Sequence, residues 1–471
     1  MSVEAVLDSS GGLIVAPAGC GKTHLITQTL NVSMQKPYLV LTHTTAGVAA
    51  LKQRLKRLGV PKRNYVVATI DGWARRIAIM FPSSCNVVAT PETPGLFYPE
   101  LRAKVNRYIN PGNLSEIIQA SYTRLLVDEY QDCNADQHAL ICSLSDFLPT
   151  IVFGDPMQCI FNFGGPMPYW EDEVQTKFPV ISELNKPWRW INSGAPNLGE
   201  WILNSRDLLL KGDSVDLLSC PEHICWNQLT GNFQVDVSCQ TQALYQIRNN
   251  NNDSDSLLVI GNQYNANLRY AFARAARGID VVETLELPDI TTVASEIDGL
   301  TGMDLAVSVL SSVSTMMTGV GQSGLMNRLP IIIAGRNKKP ATAIELAVKC
   351  VIETGDKNSI ANLLSRLELS SETRVFRAGA FSALKDAVSL SISDPTKTTR
   401  KAAEIVRERR RHLGDSRISP RAIGSTLLLK GLEADHALIL DAGTMNASHL
   451  YVALSRGAKT ITVFSNKSVV S

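Results

Sequence analysis

Residues 16–23 combine small residues, a lysine and a threonine at the spacing of a phosphate-binding loop. The segment reads Ala-Pro-Ala-Gly-Cys-Gly-Lys-Thr and fits the pattern Ala/Gly-x-x-x-x-Gly-Lys-Ser/Thr, with Ala16 in the first position. Gly19 and Gly21 let backbone N–H groups turn toward a polyphosphate. Lys22 is placed to reach the β- and γ-phosphates, and the Thr23 hydroxyl is placed to ligate Mg²⁺. The segment predicts binding of a nucleoside triphosphate with Mg²⁺.

Acidic and amide side chains follow two further apolar segments. Asp128 and Glu129 come directly after residues 124–127, and Asp155 and Gln158 follow residues 150–154. Asp128 can hold Mg²⁺ through its hydration shell, and Glu129 can orient and deprotonate an attacking water. A solvated acidic turn is the alternative interpretation. Because ligands of parallel sheets bind at the carboxyl ends of strands, three such polar clusters in one chain favour the catalytic interpretation.

The elements that must position these residues alternate between strands and helices. Apolar runs at 13–15, 38–42 and 65–70 read as strands, and residues 22 onward and the segment 42–55 read as helical. This alternation predicts an α/β fold with a parallel, doubly wound sheet. It also disfavours a chance glycine turn at residues 16–23, since the loop lies between a strand and a helix. Residues 82–113 are rich in Pro, Gly and Asn without a clear period, which predicts a loop-rich insertion.

The composition describes an ordinary globular chain. Its length of 471 residues is enough for about three domains. Hydrophobic residues make up 45% of the chain and charged residues 19%, which is typical of a globular protein. A net charge of +2 means that any polyanion must be met by a local basic surface. The nine cysteines are scattered without CxxC spacing and are expected to be reduced thiols. We expect a cytoplasmic protein without a membrane span or signal peptide.

Seven segments resemble, in order, the motifs of UvrD/Rep-type superfamily 1A DNA helicases. Residues 128–132 (Asp-Glu-Tyr-Gln-Asp) and 154–161 (Gly-Asp-Pro-Met-Gln-Cys-Ile-Phe) resemble motifs II and III. The other five resemble motif Ia, the next DNA-contacting motif and motifs IV, V and VI: 42–45, 69–73, 184–189, 430–433 and 450–459. Together with the phosphate loop and the strand before it, the resemblance extends from residue 13 to residue 459 and leaves the middle third of the chain unmatched.

The resemblance implies two RecA-like domains that face each other across ATP and Mg²⁺. It assigns Arg189 and Arg456 as two guanidinium groups on the γ-phosphate, where they stabilise the charge of phosphoryl transfer. Gln158 would sense that phosphate. The implied catalytic residues are Lys22, Asp128, Glu129, Gln158, Arg189 and Arg456. The implied nucleotide contacts are Ala16, Gly19, Gly21, Lys22, Thr23, Gln131, Trp188 and Glu433, and the implied metal ligands are Thr23 and Asp128.

The resemblance also implies single-stranded or tailed DNA as a partner. Stacking on aromatic rings together with phosphate contacts gives a grip that tolerates any sequence. Each aromatic residue, taken alone, is more often part of a core than a stacking platform. The candidates for phosphate contact are Thr42, Thr44 and Thr69, and the base-facing candidates are His43, Trp73 and Phe163.

Some positions depart from the family pattern. Gly164 stands where motif III usually has Arg, Leu427 stands where motif V usually has His, and Asp71 stands where a His is common. These changes affect positions that contact DNA or couple DNA binding to ATP hydrolysis. The hydrolytic residues are unchanged, so we expect that hydrolysis is retained even if strand separation is weak. The adenine-reading Gln of the family is not found before the loop, so ATP rather than GTP is an expectation.

The resemblance predicts a domain order. Residues 1–187 form RecA-like domain 1A with a short insertion near 74–122, and 188–289 form the first part of domain 2A. A reduced helical insertion follows at 290–415, with helical stretches at 341–365 and 378–391, and 416–471 complete domain 2A. The basic run at 407–412 is a solvated helix face or a nucleic-acid contact.

The short start, the small insertions, the Thr-x-Asp-Gly-aromatic motif and His138 after motif II resemble the helicase subunit of the Gabija anti-phage system. Such subunits work with a nuclease partner encoded beside them. The predicted function is an ATP-dependent helicase or translocase that moves 3′ to 5′ on single-stranded DNA. The main alternative is a DNA- or nucleotide-sensing regulatory ATPase that gates a partner enzyme without unwinding. A scaffold without hydrolysis is disfavoured because the hydrolytic residues are present.

Overall fold

A computed structural model describes residues 2–91, 93–161, 165–252, 254–283, 288–413 and 419–471. The strands are β1 (Gly11–Val15), β2 (Tyr38–Thr42), β3 (Tyr65–Thr69), β4 (Leu125–Val127), β5 (Thr150–Gly154), β6 (Val180–Glu183), β7 (Val215–Asp216), β8 (Ile224–Gln228), β9 (Leu257–Gly261), β10 (Asp280–Val281), β11 (Met317–Thr318), β12 (Arg374–Val375), β13 (Arg421–Ser425), β14 (Ala434–Ile439), β15 (Gly457–Ser465) and β16 (Val469–Val470).

The helices begin with α1 (Val3–Asp8), α2 (Lys22–Asn31), α3 (Thr45–Arg57), α4 (Ile70–Met80), α5 (Pro82–Cys85), α6 (Pro94–Ile109), α7 (Ser115–Ser121), α8 (Ala135–Ser145), α9 (Gln175–Lys177), α10 (Trp188–Asn192) and α11 (Pro196–Leu210). They continue with α12 (Phe233–Asn250), α13 (Ala266–Ala275), α14 (Pro288–Gly299), α15 (Gly302–Ser314), α16 (Gln322–Ile333), α17 (Ala343–Thr354), α18 (Lys357–Leu369), α19 (Ala378–Ser393), α20 (Thr399–Leu413) and α21 (Ala447–Leu454).

The first sheet has six strands in the order β3-β2-β4-β5-β1-β6, and every pairing in it is parallel. Successive residues of its strands enter two different cores. In β1, Leu13 and Val15 pack in the core that contains α4, α6 and α8, whereas Ile14 packs in the core that contains α2 and α3. Helices therefore cover both faces, as the strand-helix alternation predicts. The predicted α/β fold of two parallel-sheet, RecA-like domains is confirmed.

The predicted loop-rich insertion at 82–113 is wrong, because most of this segment is helical. Helix α6 covers 16 residues and places Phe97, Leu101, Val105 and Ile109 on one buried stripe at a spacing of four. Pro94 stands in the first turn of the helix, whereas Pro99 lies inside the helix, where it removes one intrahelical hydrogen bond. A proline is tolerated at the first turn of a helix, where backbone N–H groups have no intrahelical acceptor. The spacing of the apolar residues outweighs the breaker residues here.

The second sheet has the order β10-β13-β9-β14-β15-β8. Strands β10, β13, β9 and β14 pair in parallel, so the carboxyl ends of the central strands meet at one edge. The strand-helix-strand pattern that the sequence analysis places at 257–287 corresponds to β9, α13 and β10, and residues 284–287 lie outside the described part. Its core contains Leu257 and Val259 of β9 and Phe272 of α13.

Residues 288–413 form a mainly helical insertion with a core of its own. The core is built by α14, α15 and α17–α20, with Val309, Val348, Leu363 and Leu384 among its fully buried side chains. The predicted helical stretches at 341–365 and 378–391 are helical in α17, α18 and α19. Helix α17 begins with a capping box, in which the Thr342 hydroxyl accepts from the Glu345 N–H and the Glu345 carboxylate accepts from the Thr342 N–H.

The chain divides into two compact units. Unit 1 contains residues 1–226, 443–461 and 467–471, and unit 2 contains residues 227–442 and 462–466. Residues 188–226 and 443–461, which the sequence analysis assigns to domain 2A, are grouped with unit 1, and the functional domain limits stay a prediction. No helix in the described part of the chain is both long and apolar enough to cross a membrane.

Candidate functional site

The predicted phosphate loop connects β1 to α2 at the carboxyl edge of the first sheet. Gly19 and Gly21 have φ angles of 73° and 92°, a conformation that residues with a side chain rarely adopt. Space is also limited, because a Cβ at Gly19 would lie 2.7 Å from the Trp190 ring and 2.9 Å from the Arg189 Cβ. The first N–H of the loop, that of Ala16, donates to the Gly154 carbonyl at 2.9 Å. The two glycines are therefore required by backbone conformation and, at Gly19, also by packing.

Lys22 lies at the first position of α2 and contacts both acids that follow β4. Its ammonium is 3.0 Å from Asp128 Oδ1 and donates to Glu129 Oε1. Burial lowers the pKa of Lys22, but the two carboxylates outweigh that effect and raise it above its ordinary value. Burial raises the pKa of Asp128, and the positive charge of Lys22 opposes this shift. Lys22 is therefore held in its charged form between the two acids.

Asp128 keeps one carboxylate oxygen accessible. Oδ1 contacts Lys22 and accepts the Glu129 N–H at 3.0 Å, whereas Oδ2 accepts no hydrogen bond from the residues that the structure describes. A hard cation such as Mg²⁺ takes oxygen ligands of this kind, often with water between. Thr23 lies one residue after Lys22 in the first turn of α2. These two side chains supply the donors that a Mg²⁺ ion would use.

Gln131 connects the acid after β4 to the end of β5. Its amide nitrogen donates to Glu129 Oε2 at 2.5 Å, and its amide oxygen accepts the Asp155 N–H at 3.2 Å. Glu129 has a φ angle of 56°, a left-handed conformation that costs about 1–3 kcal/mol outside glycine. Such strain persists only where the surroundings hold the residue, and Lys22 and Gln131 both hold this carboxylate.

Asp155 is fully buried and forms the centre of a network that the sequence analysis does not include. Its side chain accepts from Arg206 at 3.0 Å, from Gln158 at 3.0 Å and from the Met157 N–H at 3.2 Å. Arg206 lies on α11, and its side chain is only 4% exposed. The neighbouring carboxylate outweighs burial and raises the pKa of Arg206. The amide of Gln158 is thus oriented by a buried Asp-Arg pair.

The predicted Trp188 and Arg189 lie directly beside the phosphate loop. Trp188 is 43% exposed, contacts the Cα side of Gly21, and has the Lys186 ammonium 3.9 Å from its ring centroid. The Arg189 N–H donates to the Gly19 carbonyl at 3.1 Å. Neighbouring Trp190 is fully buried and donates its indole N–H to the Gly457 carbonyl at 2.8 Å. Helix α10 therefore packs against the loop through three consecutive residues.

Arg189 and Arg456, the two arginines predicted to contact the γ-phosphate, both donate to acceptors at the C-terminal end of α21. Arg189 donates to the Ser455 carbonyl. The Arg456 guanidinium donates to the Val452 carbonyl at 2.8 Å and to the Ser455 hydroxyl at 2.6 Å, and the residue is 3% exposed. The two guanidinium groups therefore share protein acceptors within residues 452–455.

Tyr451 is a second residue that sequence reasoning missed. Its hydroxyl accepts the Ala18 N–H of the phosphate loop at 2.9 Å, across 433 residues of chain. The side chain is fully buried, and burial raises the pKa of Tyr451 well above its ordinary value. It stands between Leu450 and Val452 in an apolar helix, so a core role is the ordinary interpretation. Nothing in the local sequence indicates its partner.

Replacing Tyr451 by phenylalanine removes this acceptor without changing the shape of the core. Because the Ala18 N–H is then buried without its partner, we expect the free energy of unfolding to fall by about 1–3 kcal/mol. Chemical denaturation of both proteins measures the change. Tyr245→Phe is a control in unit 2, whose hydroxyl accepts the N–H of the exposed Arg277 and should matter less. Equal losses in the two variants would contradict this role.

Two of the predicted phosphate-contacting threonines are helix caps. Thr44 accepts the Gly47 N–H at 3.0 Å at the start of α3, and Thr69 accepts the Gly72 N–H at 2.9 Å at the start of α4. Thr42 is buried at the end of β2. The three lie at the carboxyl edge of the first sheet, and their contact with DNA stays a prediction.

The predicted base-facing aromatic residues differ in exposure. Trp73 is 2% exposed and packs in the core with α6 and α8, which favours the core interpretation. The ring of His43 lies 6.0 Å from that of Phe161. Phe163 and Gly164 lie outside the described residues.

Asp71, which replaces a common His, has a structural partner. Its carboxylate accepts two hydrogen bonds from Arg102 of α6, at 2.6 and 2.7 Å, and one from Gln137 of α8 at 3.3 Å. The pair connects α4 to α6.

Two further predicted positions lie in unit 2. Glu433 is exposed and lies near β14, and Leu427 is half-buried and lies near β13.

Comparison with known proteins finds a helicase family model that matches part of the chain. Residues 98–178 match the model of the UvrD/REP helicase N-terminal domain, a segment that contains β4, β5 and the acids that follow them. The chain is 25% identical over 205 residues to the Gabija protein GajB of Bacillus cereus (strain VD045). That match covers 36% of this chain and 41% of the relative, so the chain spans less than half of that protein's length. The predicted resemblance to UvrD-like helicases, with a Gabija-related member among them, is confirmed.

Two solved structures of the Arterivirus nonstructural protein 10 helicase are also similar. The structure with DNA has a TM-score of 0.27 at 12% identity and covers 55% of this chain and 48% of its own. The structure without DNA has a TM-score of 0.31 at 10% identity and covers 98% of this chain and 61% of its own. At these TM-scores neither structure defines the fold of this chain, which is shown by its own two six-stranded sheets.

Proposed function

We propose that this chain, which carries a UvrD-like helicase domain, is an ATP-dependent translocase or helicase on single-stranded DNA with 3′ to 5′ polarity. The observation that carries the proposal is the contact of Lys22 with both Asp128 and Glu129. This contact supports a site in which Lys22 binds phosphate, Asp128 binds the metal and Glu129 activates water. ATP and Mg²⁺ are the proposed cofactors.

The proposed roles follow from the geometry. Lys22 contacts the transferred phosphate, Thr23 and Asp128 hold Mg²⁺, and Glu129 accepts a proton from the attacking water. Gln131, which bonds both the Glu129 carboxylate and the Asp155 N–H, couples a movement of Glu129 to the end of β5. Gln158 senses the γ-phosphate. Arg189 and Arg456 exchange their acceptors in 452–455 for phosphate oxygens, and Trp188 offers its half-exposed ring to the base. Glu433 is the remaining proposed nucleotide contact.

A forked-duplex assay tests the motor function. The substrate carries a 3′ single-stranded tail, and a matched fork carries the tail on the 5′ side. We expect ATP-dependent strand displacement from the 3′-tailed fork only. Displacement from neither fork, together with DNA-stimulated hydrolysis, would support the alternative of a regulatory ATPase that gates a partner enzyme. The altered positions Gly164 and Leu427 are the observation that favours this alternative.

The match to a Gabija protein supports a role in anti-phage defence with a nuclease partner. The match spans 41% of that relative, so the partner is a proposal. A tagged chain expressed with its neighbouring genes should co-purify a nuclease. Absence of a nuclease gene beside this one, together with no captured partner, would contradict this part of the proposal.

A further inference from the structure

Four arginines meet in unit 2 at the C-terminal end of α13. We call Arg248, Arg274, Arg277 and Arg374 the arginine cluster. Arg248 donates to the Arg277 carbonyl at 3.0 Å, and Arg374 donates to the carbonyls of Ala273 at 3.2 Å and Arg274 at 2.6 Å. Arg274 donates to the Ser314 carbonyl at 2.9 Å. Arg274 and Arg277 are exposed, and the other two are half-buried.

The cluster has no acidic partner among the residues that the structure describes. Some arginines of the described insertion do have acidic partners: Arg410 contacts Asp386, and Arg400 contacts Glu404. Glu296 lines a cleft with Arg274 but accepts from Ser308 and forms no ion pair with that arginine. Burial, together with the positive charge of Arg277, lowers the pKa of Arg374. The cluster therefore holds like charges close together without compensation.

Helix capping explains only part of this arrangement. Arginines at the C-terminal end of a helix interact favourably with its dipole, which amounts to about half a negative charge. Four guanidinium groups carry four positive charges, so most of the charge stays uncompensated. The chain as a whole has a net charge of only +2, so this is a local feature.

The position of the cluster separates it from the edge where the motor is expected to hold single-stranded DNA. Helix α13 starts after Gly261, at the carboxyl end of β9, and runs back beside the strand. Residues 276–279 then lead into β10, which is parallel to β13. The C-terminal end of α13 therefore lies at the amino edge of the second sheet, opposite the carboxyl ends of β9, β13 and β14.

We propose that the arginine cluster is a second DNA-binding site, which holds the phosphate backbone of duplex DNA without reading its sequence. Guanidinium groups match phosphate oxygens in bidentate geometry. Of the described aromatic rings beside the cluster, Phe376 beneath Arg274 is buried and Tyr245, whose hydroxyl accepts the Arg277 N–H, is half-buried. Neither ring offers a fully exposed face for base stacking, so single strands gain little advantage. Duplex DNA offers the higher density of phosphates. The proposal rests on the proposed function only in that DNA is the ligand.

The test measures binding of a blunt 20-base-pair duplex to the full chain by fluorescence anisotropy at several salt concentrations. In the variant Arg274→Gln/Arg277→Gln, we expect affinity to fall by about 10- to 60-fold at 0.1 M salt. The slope of log affinity against log salt should decrease by about 1.8, because each lost contact removes about 0.9. The variant Arg274→Lys/Arg277→Lys keeps the charge and should retain most of the binding.

Matched controls separate this site from folding and from the motor. Arg400→Gln/Lys401→Gln removes the same charge from residues paired with Glu404 and should leave duplex binding unchanged. Hydrolysis stimulated by single-stranded DNA should also be unchanged in the cluster variant, which shows that it is folded. Wild-type affinity and slope in that variant would overturn the proposal. The proposal would also be overturned if the cluster variant lost binding to labelled polyglutamate but kept its binding to duplex DNA. That result would indicate an acidic protein as the partner of the cluster. If duplex binding behaves as expected but hydrolysis is absent, the proposed function fails and the site stands.

Discussion

Replacing Glu129 by glutamine should lower kcat for ATP hydrolysis by about 10²- to 10⁴-fold, the usual contribution of a general base. Glutamine keeps the size of the side chain, and its one amide oxygen can still accept from Lys22, so most of the site should stay assembled even though the bond from Gln131 is lost. What is lost is the carboxylate that takes the proton of the attacking water. The measurement is steady-state phosphate release in the presence of single-stranded DNA.

Binding and a distant acid serve as controls for this variant. Nucleotide affinity, measured with a fluorescent analogue, should change little, because Lys22 and Asp128 remain. Glu116→Gln removes an exposed carboxylate on α7 and should leave kcat near the wild-type value. A Glu129 variant that hydrolyses ATP as fast as the Glu116 variant would show that another group activates the water.

Replacing Arg206 by methionine should lower the free energy of unfolding by about 3–5 kcal/mol, the usual cost of removing one partner of a buried ion pair. Methionine fills most of the volume but leaves the Asp155 carboxylate, which is fully buried, without its guanidinium. Chemical denaturation followed by intrinsic fluorescence measures the change. The double variant Arg206→Met/Asp155→Asn should recover part of the loss, because it no longer buries an uncompensated charge.

An exposed ion pair provides the comparison for Arg206. Lys177 and Asp146 are 2.8 Å apart, with side chains 37% and 54% exposed. Lys177→Met should therefore cost less than about 1 kcal/mol. If Arg206→Met were as mild as Lys177→Met, the buried network would not stabilise the end of β5.

The fold and the grouping of the candidate-site residues could be predicted because each central strand of the first sheet is a mostly apolar run that is followed by polar residues. The predicted strand at 38–42 coincides with β2, and the acids after residue 127 follow β4 as expected. In a parallel sheet these ends meet at one edge, so local patterns determine which residues come together. The contact of Lys22 with Asp128 and Glu129 is a consequence of this rule.

Residues whose partners are remote in the chain could not be found in the same way. Arg206 meets Asp155 across 51 residues, and Tyr451 meets the phosphate loop across 433 residues, so neither has a local signal. Helix α6 could have been predicted, because the apolar residues at 97, 101, 105 and 109 have helical spacing. The proline and glycine content of the segment instead favoured a loop. Trp73 occupies a motif position that predicts a base-facing ring, but an aromatic residue there can equally belong to the core. Only the packing seen in the structure distinguishes these two interpretations.

The central claim is that ATP hydrolysis in this site drives movement on DNA. The most direct measurement is the rate of ATP hydrolysis by the wild-type chain with and without single-stranded DNA, at saturating Mg²⁺. We expect that DNA raises kcat for ATP hydrolysis strongly and that this increase vanishes in Glu129→Gln. Hydrolysis that is absent, or that is the same with and without DNA, would contradict it.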